Sequence, residues 1–166
     1  MKTRLKKVTL KKESLLYDIS NLAYVIADCE ESGHHRLHQV FDITEEGNVD
    51  RVARVVWLAF AKVQEIFSSS LVSVSPGRGR DFSATVQDYS LMFSESIAVS
   101  QAWLMKIKEL LREYLVCTAL ADWLGITLAE VASIWLRRAE AAFGELSLMA
   151  SEISAGGGLR RRLSPF

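Results

Sequence analysis

A chain of 166 residues suits one domain, and 49% hydrophobic with 24% charged residues supports a packed core, which argues against disorder along the whole length. Twenty Lys and Arg balance twenty Asp and Glu, so the net charge is zero and argues against a general polyanion binder. No apolar run approaches the roughly 20 residues that a membrane helix needs.

Residues 3–10 hold β-branched and apolar positions without a helical stripe and predict a short edge strand, its lysines guarding the edge against aggregation. From Lys12 the period turns helical. Leu15, Ile19, Leu22 and Ile26 recur on one face, widened by Leu16 and Ala23, and predict a helix over 12–31 that Ser32 and Gly33 end. Residues 33–47 are polar, broken by Gly33 and Gly47, and read as a loop. Asn48 suits a helix cap, and Val49, Val52, Val56, Ala59, Phe60, Val63, Ile66 and Phe67 trace one face of a helix over 48–67. Residues 68–83, rich in Ser and Gly and holding Pro76, read as a flexible internal loop. Residues 84–93 predict a second strand, a candidate partner for the first.

A long helix follows over 96–124. Trp103, Ile107, Leu110, Tyr114, Cys117, Ala121 and Leu124 make one stripe, and Leu104, Leu111 and Leu115 a second. Two adjacent stripes mean broad burial, which marks this helix as central. Gly125 is a natural left-handed stop, and Thr127 with Glu130 fits a capping box for a helix over 128–152 through Trp135, Ala139, Ala142, Leu146 and Met149. The pair makes an αα-hairpin. The expected fold is mainly α: a four-helix bundle-like domain over 1–155 with a small two-stranded β element, followed by a basic C-terminal arm over 156–166.

Charge is segregated along the chain. Lys2, Arg4, Lys6, Lys7, Lys11 and Lys12 open it without an acid, whereas Arg36 stands alone among nine carboxylates between Glu13 and Asp50. Arg160, Arg161 and Arg162 close it, flanked by Leu159, Leu163 and Phe166. Such polarity suits head-to-tail or ring-like contacts between copies; a solvated surface that happens to be segregated is the plain alternative. The arm is either an interface element, its arginines on an acidic patch and Phe166 in a pocket, or a solubilising tail.

Catalytic signals are thin. Cys29 and Cys117 lie apart in apolar helical patterns and read as buried free thiols of a reducing compartment. The apolar stretch 22–27 is too short for a signal sequence, and Asp28 sits where a small residue is required, so export is not expected. His34, His35 and His38 beside Glu30 and Glu31 resemble a zinc or nickel set, but Gly33 argues for exposed loop histidines. Pro76-Gly77-Arg78-Gly79-Arg80 lacks the lysine and spacing of a Walker loop and the third glycine of a dinucleotide loop. No G-x-S-x-G occurs, and Trp103, Tyr114, Trp123 and Trp135 fall at helical spacings that suit core packing. The reading assigns no catalytic, cofactor or metal residue.

The stretch Glu113-Tyr-Leu-Val-Cys-Thr-Ala-Leu-Ala-Asp-Trp-Leu-Gly-Ile-Thr127, with Trp135, the ending Arg160-Arg-Arg-Leu-Ser-Pro-Phe166 and the opening Val8-Thr-Leu-Lys-Lys-Glu-Ser-Leu-Leu-Tyr17, resembles small prophage-encoded proteins of gut anaerobes from the virion structural gene region. The segment 75–80 departs from them. The layout is similar to head–tail connector proteins of tailed phages, helical bundles with a short β-insertion that assemble as rings. The resemblance implies a non-enzymatic structural or assembly protein, of head–tail connector or tail-completion type. It would be cytoplasmic in the host and then part of the virion, and would act by self-association as a homo-oligomer and by docking other virion proteins. Lys6, Lys7, Arg160, Arg161, Arg162 and Phe166 are its expected partner-binding residues. The alternative is a nucleic-acid-binding regulator using the basic ends. A membrane partner is not expected.

Overall fold

The computed structural model describes residues 6–29, 43, 46–72, 88–94, 99–126 and 128–155. Strand β1 (Lys6–Lys11) leads directly into helix α1 (Lys12–Cys29), followed by α2 (Glu46–Ile66), strand β2 (Asp88–Phe93), α3 (Gln101–Leu124) and α4 (Ala129–Ser154). The described residues form a mainly α bundle of four helices with a two-stranded sheet.

β1 and β2 pair antiparallel, Lys6 opposite Phe93 and Lys11 opposite Asp88. Period-two alternation gives the sheet one dry face, where Val8 meets Leu91 and Leu10 meets Tyr89. On the other face the hydroxyls of Thr9 and Ser90 meet at 3.2 Å. A lone hairpin is marginal in water, and here the helices cover its apolar side. The free edge of β2 is partly closed by the chain leaving α2: Leu71 bridges Phe93, and Val72 N–H donates to the Met92 carbonyl at 2.9 Å. The first five residues of the 68–83 segment therefore fold back on the sheet, with Ser70 buried; the rest lies outside the described residues.

α3 is the central helix. Tyr114, Leu115, Val116 and Cys117 are buried in succession, followed by Ala119 and Leu120, so the second half is covered on nearly every side. Its start is five residues later than 96, at a cap the pattern did not single out: Trp103 N–H donates to Ser100 Oγ at 3.2 Å. α2 likewise begins at Glu46, so Asn48 stands inside its first turn and does not cap it.

A further expectation is corrected. Gly125 ends α3 in the right-handed region, at φ −58° and ψ −22°, and not in the left-handed one. The N-cap position of α4 is Leu128, which carries no hydrogen-bonding side chain; Thr127, expected to form a capping box with Glu130, lies outside the described residues. The turn closes through backbone instead, Leu128 N–H donating to the Leu124 carbonyl at 2.7 Å. The hairpin of α3 and α4 stands as expected, packed through Leu111, Leu115, Leu146 and Met149 among others. Cys117 is buried, but Cys29 is exposed, because the buried line of α1 runs Leu15, Ile19, Ala23, Ala27 and turns the last residue outward.

Candidate functional site

An open cleft of about 350 Å³ with converging charges lies between α1 and α3. Asp18, Asn21 and Leu22 come from α1, spaced three and four apart on one helical face. Glu109, Arg112, Glu113 and Val116 come from α3 by the same spacing rule.

Two of the three carboxylates in this cleft are paired with arginine. Arg112 Nε donates to Asp18 Oδ2 at 2.8 Å. Glu113 Oε1 accepts from Arg138 Nε of α4 at 3.0 Å, and the same guanidinium lies 4.7 Å from the ring centroid of Trp135. Cys117 Sγ donates to Glu113 Oε1 at 3.4 Å. Burial, then the Glu113 charge and this hydrogen bond, push the Cys117 thiol up to about 12, against a smaller lowering by Arg138. A thiol so protonated is a poor nucleophile. Asp18 and Glu113 spend their oxygens on charge-assisted bonds to arginine.

The pairs form a wider pattern. Arg51 of α2 binds Asp122 of α3 at 2.9 Å and lies over the Trp123 ring at 5.8 Å, and Lys106 of α3 meets Glu145 of α4 at 3.1 Å. Each of the other three helices is thus tied to α3 by at least one ion pair. Among the described residues no buried side-chain nitrogen or oxygen lacks a partner, and no group of His, Cys, Asp and Glu is arranged to hold a metal.

Of the residues expected to bind partners, Lys6 is half-buried and its Nζ donates to the Val99 carbonyl at 3.0 Å, tying β1 to the approach of α3. Lys7 is exposed on the outer face of the sheet. Arg160, Arg161, Arg162 and Phe166, the cluster of His34, His35 and His38, and the 76–80 loop lie outside the described residues. Pattern reading missed the outward apolar positions: Tyr17, Tyr24 and Val25 on α1, and Ile134, Leu136 and Leu148 on α4, each about half exposed or more. Their signal was present, since Tyr17 and Tyr24, and Ile134 and Leu148, repeat at multiples of seven residues opposite the core stripe.

The chain matches no protein-family model, no curated protein and no solved structure. No helix of the described residues is long and apolar enough to cross a membrane.

Proposed function

We propose that this protein is a non-enzymatic assembly subunit that works by meeting a second copy of itself and other proteins through its surface. The observation that carries the reading is the division of apolar surface. The core is closed, yet large apolar side chains remain on the outer faces of α1 and α4, with Tyr17 at 71% and Leu148 at 65% exposure. The cleft supports the same reading, because Asp18 and Glu113 are bonded to arginine and burial keeps the nearby Cys117 thiol protonated.

In the more specific form, which rests on the resemblance to prophage structural proteins, the chain is a head–tail connector or tail-completion subunit of a virion. Its basic ends and outward apolar faces are the docking elements. Two measurements test it together. Light scattering on the full chain should give a mass above one subunit as concentration rises, and purified particles released from the host should contain the chain. A strict monomer that is missing from the particles removes the proposal. The rival reading, a nucleic-acid-binding regulator, predicts DNA affinity that falls steeply with added salt. It draws less support, since Lys6, one of its basic residues, is bonded to a backbone carbonyl within the fold.

A further inference from the structure

The outer face of α4 has an internal symmetry. Ile134, Arg137, Ala141, Gly144 and Leu148 are all exposed and follow one another by three or four residues along a single helical line. Ile134 is 52% exposed and Leu148 65%. Gly144 sits inside a 26-residue helix, where glycine is weaker than alanine, and a Cβ built on it meets nothing within 4 Å. Among the described residues nothing packs on this glycine, which leaves room for a closely approaching second helix.

We propose that this face docks the same face of a second copy, antiparallel, about a two-fold axis passing beside Ala141. The inference deepens the assembly reading and rests on its self-association. In a two-fold interface, residue i meeting residue j requires j to meet i. With the axis at Ala141, Ile134 falls opposite Leu148 of the second copy, each seven residues from the axis. Arg137 falls opposite Glu145, each four residues away, and Arg138 opposite Gly144, each three away.

The apolar pair and the opposite-charge pair both occur twice by symmetry, and Ala141 at the axis with Gly144 facing Arg138 leaves room at the crossing. Among the described residues Arg137 has no ion-pair partner; its Nε donates to the Ser133 carbonyl at 3.4 Å. Glu145 pairs with Lys106 but is 53% exposed, which leaves its carboxylate room for a second cation. The unfavourable juxtaposition, Glu130 facing Glu152, lies roughly 16 Å along the helix from the axis, where crossing helices have separated. One helix pair buries little area, so the dimer is weak and concentration-dependent.

The test is a cross-link at the axis, made in the full chain with Cys29→Ser so that the exposed native thiol is absent. Under mild oxidation Ala141→Cys should give a disulfide-linked dimer well ahead of Ala102→Cys, an exposed position on α3. Arg137→Glu should weaken the dimer by about tenfold, and adding Glu145→Arg should restore most of it, because both changes together only exchange the two signs. A protein that self-associates but cross-links no faster at Ala141 than at Ala102 overturns this interface and leaves the assembly reading standing. A monomer at every concentration overturns this interface, and one that is also missing from purified particles overturns the assembly reading with it.

Discussion

Arg112 on α3 donates to Asp18 on α1 at 2.8 Å, joining residues 94 positions apart in the wall of the cleft between the two helices. The Arg112 side chain is 45% exposed and that of Asp18 22%, so the pair is neither buried nor fully solvated. Its worth should be modest. A double-mutant cycle with Asp18→Asn and Arg112→Gln should give a coupling of about 0.5–1 kcal/mol, shrinking in high salt. A coupling of several kcal/mol would mean that the cleft is drier than its geometry indicates.

Phe67 and Phe93 pack edge to face, ring centroids 5.6 Å apart at 83°, and tie the end of α2 to β2. Both are fully buried. Phe67→Ala should therefore cost about 3–5 kcal/mol of unfolding free energy, against at most about 0.5 kcal/mol for Leu148→Ala on the outer face of α4 in the monomer. Chemical denaturation at low protein concentration measures both.

These contrasts show what could be read from residues alone. The helical stripes of α2, α3 and α4 fell on the core because periodicity records which face is dry, and both strands paired because alternation does the same at period two. Helix ends were less legible. Ser100 caps α3 through its side chain, and the turn at Gly125 and Leu128 closes through backbone hydrogen bonds, neither of which the apolar spacing marks. The ion pairs Arg112 with Asp18 and Arg51 with Asp122 were invisible for a different reason. Each joins helices distant in sequence, and a charged residue on a solvent face looks the same with or without a partner.

The Cys117 thiol is pushed up to about 12 from an ordinary value of 9.0, so the folded state holds its proton more tightly than the unfolded chain. That contribution is whole below pH 9 and is lost as pH rises toward 12, by at most about 1.4 kcal/mol per pH unit. Tyr89, raised by burial from 10.0 to about 12, adds a second loss that begins one unit higher. Between pH 9 and 10 the decline should therefore be smaller in Cys117→Ala than in the unaltered chain, although the variant is less stable at pH 8. Parallel declines would contradict the burial of this thiol. Thiol labelling gives the same answer more directly: at pH 8 the native protein should expose Cys29 alone, and the denatured protein both cysteines.

The two glycines of the α3–α4 hairpin should respond differently to alanine. Gly144→Ala meets open space and should stabilise the monomer by about 0.5–1 kcal/mol. Gly125→Ala would bring a Cβ to 3.0 Å from the Ala121 carbonyl oxygen, so its gain in chain stiffness is offset by crowding. Thermal midpoints at low concentration should rank Gly144→Ala above Gly125→Ala, and the reverse order would refute the placement of the turn.

The central claim is that this chain acts through the apolar faces its bundle leaves outside. Sedimentation velocity tests it most directly, comparing the full chain with Leu148→Glu over a wide range of concentrations. The account predicts that the unaltered chain starts near 18.6 kDa and rises with concentration, whereas the variant keeps the monomer mass with an unchanged circular dichroism spectrum. An unaltered chain that holds the monomer mass at every concentration, or a variant that associates as well as its parent, would contradict it.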